Sequence, residues 1–357
     1  MKQGKIRISS LVRAVVKIIG LLCLMVLATG CLHSAPVDTP TPDDISRTLN
    51  SLQEVDDFPL YTMTYYGDYG FDDEGAVQTR GQQRLASGTA APDHSCSTVV
   101  ARNERGEVLV GRNFDWIHRA GLLLYTDSPS GYASASMVDI AYQGFENGIP
   151  ADADRTPLLD TPSWPMDGMN EQGLAVSQMA VPQANLATDP EQDTYGSLEV
   201  IRLLLDHAAT VSEGVDLLKG VNIDWEGGPY LHYLVADATG ASAVVEFVGG
   251  EMVVTQEQVP WQIATNFTQY GTSPVHRGDL CWRYGAAEAI LSPLNGQLSD
   301  EAFLEMMAGI AGDWGQAETM WTVVYNLTTG SIRVVMGREF EDVDEFALEL
   351  TDAPAGR

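Results

Sequence analysis

A cysteine, an arginine and an aspartate occur within one short segment whose pattern predicts a β-hairpin. Cys96 begins a β-branched run, and the turn residues Asn103 to Gly106 follow it. The returning run ends at Arg112, with Asp115 just beyond. Hairpin strands of similar length bring their outer ends together, so we expect the three side chains to meet. A guanidinium near a thiol favours the thiolate, and a carboxylate near an amine orients it.

Cleavage between Ser95 and Cys96 would place a new α-amino group on the residue that carries the thiol. An α-amine has a pKa of about 7.7–8.0, so it can act as a general base at neutral pH without a histidine. If that bond is cut, the pattern is compatible with a thiol nucleophile whose own α-amine acts as its base. The same spacing is also compatible with a structural role, in which Cys96 begins a buried strand and Arg112 and Asp115 form a surface ion pair.

Other residues that could carry chemistry are scattered along the chain. A papain-like pair of a histidine with Cys96 or Cys281 stays open, although no local signature supports it. We expect neither a metal nor an organic cofactor, because no spacing typical of metal ligands occurs among His94, His118, His207, His232 and His276.

The bulk composition argues against nucleic acid as a partner. The 357 residues carry 20 Lys and Arg against 49 Asp and Glu, a formal net charge of −29. Such a surface repels phosphate backbones and anionic lipid headgroups. The hydrophobic content of 45% is enough for a substantial core in one large domain or two ordinary ones.

Residues 1–31 are typical of an export signal. A basic start is followed by an apolar run to Ala28 and by two small residues before Cys31. This end resembles a bacterial lipoprotein signal, in which Cys31 would be lipidated, although Ala28 stands where leucine is usual. The alternatives are an ordinary cleaved signal peptide and a single membrane anchor. In each case we expect the body to be exported to the bacterial cell envelope. Membrane attachment is expected only through an N-terminal lipid or a retained leader.

Residues 32–95 are predicted to be a tether and a pre-segment, a candidate propeptide, before a catalytic domain at 96–357. The tether is rich in proline and threonine. Helices and strands then alternate in groups, which favours a layered α+β fold over a regular parallel series. Helices are predicted at 45–52, 198–208, 211–219, 280–291 and 300–310, and strands at 58–66, 230–236, 243–248, 252–255, 320–326 and 331–336.

The stretch from Cys96 to Trp116 resembles the mature N-terminus of the choloylglycine hydrolase and penicillin V acylase group of linear amide hydrolases. It also resembles the acyl-CoA:6-aminopenicillanic acid acyltransferase-like proteins. Gly111 to Trp116 is similar to a Gly-Arg-Asn-x-Asp-Trp motif, and Thr265-Asn266 to a Thr-Asn pair that helps to form the oxyanion hole. Arg283 falls where the group has a second active-site arginine. The resemblance spans roughly residues 96–337.

Residues 167–174 are similar to the Asn-Glu-x-Gly-Leu block of this group. We expect Asn170 and Gly173 in this block to shape a tight turn and not to contact substrate. Two further residues have structural alternatives, because Asn next to Thr is common in turns and Arg283 could be a helix-surface cation.

The resemblance implies a four-layer αββα sandwich of the N-terminal-nucleophile hydrolase type. Cleavage after Ser95 would free Cys96, which would hydrolyse a linear N-acyl amide through a thioester acyl-enzyme. Ala180 stands where the bile-salt and penicillin enzymes have Asn or Tyr, so we expect only a backbone N–H near it to bind the oxyanion, and those two substrates are disfavoured. The implied catalytic residues are Cys96, Arg112, Asp115, Asn266 and Arg283.

Two rival functions stay open at this point. One is an acyltransferase that passes the same acyl group to an amine. The other is a non-catalytic envelope lipoprotein that uses the fold as a binding module.

Overall fold

The predicted hairpin lies at the centre of one of two large sheets. Its strands, β3 (Ser95–Asn103) and β4 (Val108–Trp116), pair antiparallel along their whole length. Gly106 closes the turn with a φ of 81°, a value that favours glycine. The computed structural model describes residues 40–71, 95–117, 120–225, 228–313 and 318–351. The export signal with Cys31, and also His94 and His118, lie outside these residues.

The sheet that contains the hairpin has seven strands. Its order is β14-β3-β4-β16-β17-β18, and β15 pairs with β3. The additional strands are β14 (Gln262–Ala264), β15 (Gln297–Leu298), β16 (Glu318–Asn326), β17 (Ser331–Met336) and β18 (Asp344–Ala347).

The second sheet has nine strands in the order β1-β2-β5-β6-β7-β8-β11-β12-β13. A separate parallel pair is formed by β9 (Thr194–Gly196) and β10 (Asn222–Asp224). The nine strands are β1 (Gln53–Asp56), β2 (Leu60–Tyr65), β5 (Gly121–Thr126), β6 (Ser134–Asp139), β7 (Pro165–Asn170), β8 (Leu174–Ala180), β11 (Leu231–Asp237), β12 (Ser242–Val248) and β13 (Glu251–Thr255).

Helices cover the outer face of each sheet. Buried side chains of α2 and α3 pack on the nine-stranded sheet, and those of α5 and α6 pack on the seven-stranded sheet. A third apolar cluster fills the space between the sheets. The layer order is therefore αββα, as the resemblance implied. The helices are α1 (Pro42–Asn50), α2 (Glu199–His207), α3 (Val211–Lys219), α4 (Arg277–Leu280), α5 (Trp282–Leu291) and α6 (Asp300–Gly309).

Most of the helices occur where the sequence predicted them. Gly220 is the C-cap of α3, and the Ser299 side chain caps α6 by accepting from the Ala302 N–H. The single helix predicted at 280–291 is wrong in one respect, because Cys281 is extended (φ −144°, ψ 116°) and separates α4 from α5. No helix among the described residues is long and apolar enough to span a membrane.

The described part of the pre-segment belongs to the nine-stranded sheet. Its strand β2 pairs in parallel with β5 over six residues on each strand. Leu60 and Met63 are almost completely buried in the core. Tyr69 donates a hydrogen bond to Asp206 on α2 (2.7 Å). Residues 42–71 thus pack as part of the sandwich whose other strands come from the catalytic domain.

The turn between β7 and β8 confirms the structural interpretation of Asn170 and Gly173. The Asn170 side chain accepts from the N–H groups of Gln172 and Leu174 and donates to two carbonyls of the α2 region. Gly173 has a φ of 74°, and a Cβ there would lie 2.5 Å from the Leu327 carbonyl oxygen. Asn170 shapes the turn through these hydrogen bonds. Gly173 shapes it because no side chain larger than hydrogen fits at that position.

Candidate active site

The hairpin register places Cys96 and its predicted partners around the same peptide bond. Phe114 lies opposite Cys96, Asp115 opposite Ser95, and Arg112 opposite Thr98. Because side chains alternate along a strand, Cys96 and Arg112 project into the space between the sheets, whereas Asp115 projects toward the helices. The prediction that the three side chains meet is therefore wrong. Cys96 and Arg112 lie on one face of the hairpin and Asp115 lies on the other, on either side of the bond between Ser95 and Cys96.

Asn266 is the centre of the site. Its Oδ1 accepts a short hydrogen bond from the backbone N–H of Cys96 and a second one from Nη2 of Arg283 (2.9 Å). Its Nδ2 donates to the carbonyl of Ala180 (2.8 Å). The side chain thereby connects β3, β8 and α5 at the N–H of the predicted nucleophile. The turn interpretation of Asn266 does not account for these three contacts.

Arg283 and Asp115 form a buried ion pair beside this centre. Nη1 of Arg283 donates to Oδ2 of Asp115 (2.9 Å), and the Thr319 hydroxyl donates to Oδ1. Burial raises the pKa of Asp115 to about 7, against the opposing effects of Arg283 and Thr319. Arg283 is 3% exposed, so the alternative of a helix-surface cation is wrong.

Arg112 lies between the two sheets and is fully buried. Its Nε is 3.7 Å from Oδ2 of Asp167 on β7. Asp167 also accepts from Tyr325 (2.6 Å) and Trp321 (3.3 Å), and burial raises its pKa to about 6. Arg112 and Asp115 therefore do not form the surface ion pair of the structural alternative. Within the described residues, Nε and Nη2 of Arg112 have no hydrogen-bond partner.

The backbone at Ala180 borders the site in a defined orientation. The next residue, Val181, donates its N–H to the Tyr230 carbonyl on the β11 side (2.8 Å). Successive residues of an antiparallel strand point their N–H and C=O groups to opposite sides, so those of Ala180 point away from β11. The Ala180 carbonyl meets Asn266 on that side. Its N–H therefore points to the same side as the Asn266 amide.

Two site residues were missed at the sequence level. Thr319 and Asp167 act through partners that are distant in sequence, and neither stands in a pattern typical of a catalytic group. Asp167 begins the block from Asp167 to Leu174, in which the sequence predicted a role only for Asn170 and Gly173. The signal that could have identified it is that Asp167 is the one charged residue between Asp160 and Glu171.

Cys281 is the second cysteine of the described chain, and it forms no disulfide with Cys96 because both thiols are free. It is half-buried at the start of α5. Burial would raise the pKa of its thiol, but Arg283 and backbone N–H groups outweigh that effect and lower it. The hydrogen bonds of His232 lead to Glu246 and Thr265, and that of His276 leads to Asp279, so these two histidines give a papain-like pair no support.

Comparison with known proteins gives one family and one fold. The profile of the linear amide C–N hydrolases, choloylglycine hydrolase family, matches residues 96–274, half of the chain. No curated protein sequence matches significantly.

Two solved structures of conjugated bile acid hydrolase variants from Clostridium perfringens are similar in fold. The first has 15% identity and a TM-score of 0.51, covering 72% of this chain and 94% of its own. The second has 16% identity and a TM-score of 0.51, covering 71% and 92%. Penicillin V acylase from Agrobacterium tumefaciens has 17% identity and a TM-score of 0.49, covering 68% and 83%. The family model that matches residues 96–274 shows that the chain belongs to the choloylglycine hydrolase family of linear amide C–N hydrolases, enzymes that cleave linear amide bonds.

Proposed function

We propose that this chain is a self-processing cysteine amidase whose first substrate is its own bond between Ser95 and Cys96. The observation that supports this most directly is the hydrogen bond from the Cys96 backbone N–H to Asn266. That N–H becomes the amine of the mature nucleophile, and it is already held by the side chain that the family resemblance assigns to catalysis.

The processing step is an acyl shift from nitrogen to sulfur. Cys96 Sγ attacks the carbonyl carbon of Ser95, the bond from that carbon to the Cys96 nitrogen breaks, and the nitrogen takes up a proton. Water then hydrolyses the thioester, which leaves a carboxylate on Ser95 and restores the thiol. Arg112 projects to the same face of the hairpin as Cys96, so its positive charge lies on the side from which the sulfur attacks. Asp115, with its pKa raised to about 7, can exchange a proton near neutral pH from the opposite face.

The mature reaction repeats this chemistry on a linear N-acyl amide. The free α-amine of Cys96 removes the thiol proton and later donates it to the leaving amine. The Asn266 amide and the Ala180 N–H face the same side and would bind the oxyanion of the tetrahedral intermediate. Loss of one such donor costs about 3 kcal/mol of transition-state stabilisation. Water finally releases the acyl group from the thioester.

The substrate class is a neutral or weakly charged N-acyl amide. The related structures are named for conjugated bile acid and penicillin V. Ala180 lacks the side chain that those enzymes are expected to use, and the net charge of −29 slows the approach of strongly anionic substrates.

The experiment that tests this function is intact mass combined with N-terminal sequencing of the purified protein. We expect the wild type to have a new terminus at Cys96, and Cys96→Ala to keep the bond intact because the nucleophile is gone. Cys281→Ala is the matched control, since it removes the other described thiol and should still be cleaved. A wild-type chain without a cut after Ser95 would contradict the proposal.

We also propose that the protein is exported and held at the envelope by lipid on Cys31. The support is the basic and apolar leader that ends in small residues before that cysteine. Cells grown with labelled palmitate should incorporate label into the wild type. Cys31→Ala should carry none, and equal labelling of both chains would contradict lipidation at this position.

A further inference from the structure

Two buried ionisable side chains, His232 and Glu246, have no role in the chemistry proposed above. They lie on the neighbouring strands β11 and β12, and they are 1% and 2% exposed. Burying polar groups of this kind is unfavourable unless they make specific hydrogen bonds. The hydrogen bonds of His232 and Glu246 therefore indicate which part of the structure the two side chains stabilise.

His232 contacts the residue before Asn266. Its Nε2 is 2.8 Å from the carbonyl oxygen of Thr265, and its Nδ1 is 3.4 Å from Oε1 of Glu246. A carbonyl oxygen only accepts, so Nε2 must carry the proton and donate it. His232 thereby fixes the peptide group that leads into Asn266.

Glu246 contacts the chain just after Asn266. Its Oε1 accepts from the Gln269 N–H and its Oε2 from the Tyr270 N–H, both at 2.7 Å. The Gln269 side chain in turn donates to the carbonyl of Ile263 (2.7 Å). The segment 265–270 is therefore held on both sides of Asn266 by one His–Glu pair.

The position of this segment matters because Asn266 has three partners to satisfy at once. They are the Cys96 N–H, the Arg283 guanidinium and the Ala180 carbonyl. A displacement of about 1 Å at such a group can reduce a rate about 100-fold.

We propose that His232 and Glu246 are positioning residues, which hold residues 265–270 so that the Asn266 amide stays aligned with Cys96 and Ala180. The inference rests on the proposed function, because it assigns the pair to the rate of that chemistry. Neither residue touches the reacting atoms, and both act through Asn266.

The test uses the cleavage of the chain itself as the probe reaction. Full-length precursor is refolded from denaturant, and the cut after Ser95 is followed by intact mass. We expect His232→Leu to slow cleavage roughly 10- to 100-fold. His232→Gln should cleave at close to the wild-type rate, because the glutamine side-chain amide can still donate a hydrogen bond to the Thr265 carbonyl.

Val235→Ala is the matched control. Val235 is fully buried on the same strand but packs on the helix side, away from the segment 265–270. It should lower the unfolding midpoint while cleaving at the wild-type rate. If Val235→Ala slows cleavage as much as His232→Leu does, the effect is general destabilisation and the proposal fails.

Hydrogen exchange gives a readout that does not depend on activity. It is measured in a Cys96→Ala background, so that all chains stay uncut. Glu246→Leu should speed exchange at Gln269 and Tyr270 while leaving β16 protected. Unchanged exchange at these two amides would overturn the proposal.

The experiment distinguishes a failure of the proposed function from a failure of the positioning role. A wild-type chain that is never cut contradicts the proposed function and this inference with it. A wild-type chain that is cut, with His232→Leu cut equally fast, contradicts the inference alone.

Discussion

After cleavage, the mature protein is expected to consist of two polypeptides that stay together in native buffer and separate only in denaturant. The pre-segment contributes α1, β1 and β2, and β2 pairs with β5 in the nine-stranded sheet. Leu60 and Met63 are each buried to within 1% of their surface. Burial of one such side chain is worth about 1.5–3 kcal/mol, and the six-residue strand pairing adds to it.

Mass spectrometry under native and denaturing conditions measures this association. The native mass should equal that of the uncut chain plus one water, whereas denaturant should give two masses. Leu60→Asp should release the pre-segment, because it puts an unpaired charge in the core. Val55→Asp is the matched control, since Val55 is 38% exposed on β1 and its replacement should release nothing. A native mass that lacks the pre-segment in the wild type would show that it leaves.

The variant Arg283→Leu is expected to lose both cleavage and much of its stability at pH 8. It leaves the Asp115 carboxylate buried without its cation, and breaking a buried pair from one side costs about 3–5 kcal/mol. Asp115 has a folded-state pKa of about 7 against an ordinary value of 3.8, so the folded state binds the extra proton. Its contribution to stability is therefore fully present below pH 3.8 and is lost as the pH rises through about 7.

Urea unfolding at pH 5 and pH 8 checks this prediction. The loss in free energy of unfolding that Arg283→Leu causes should be smaller at pH 5, where Asp115 is protonated and needs no cation. The double variant Arg283→Leu with Asp115→Asn should recover stability at pH 8 but not cleavage. Arg105→Leu is the control, because Arg105 is exposed and solvent screens its ion pairs with Glu107 and Asp300, so its loss should change the stability little at either pH. An equal loss in free energy of unfolding at both pH values would mean that the Asp115 carboxylate does not cause it.

The sequence predicted those parts of the fold that have a clear local pattern. The hairpin from Cys96 to Asp115 was found because its strands flank a turn ending in glycine. Helix α3 was found to the residue, and the predicted C-cap Gly220 ends it. Strands β6, β7 and β8 were not found, since they are rich in Ser, Ala, Met and Gly and have few of the β-branched and aromatic residues that identified β11 and β16.

The composition of the site could be predicted only in part, and through the family resemblance. Hairpin geometry correctly brought Arg112 and Asp115 to the end where Cys96 lies. Asp115 faces the helices because it is an odd number of positions from Arg112 on the same strand, so the two side chains project to opposite faces. The partners Thr319 and Asp167 required tertiary structure, since they are 204 residues from Asp115 and 55 residues from Arg112 along the chain.

The arrangement around Asn266 also determines when this enzyme could become active. Its contacts come from β3, β8, α5 and the segment after β14, which are brought together only when both sheets and the outer helices have assembled. A chain with any of these elements out of place would keep its bond after Ser95 and with it a blocked nucleophile. On the proposed function, correct folding would therefore be the step that activates the precursor, and a misfolded chain would stay inactive.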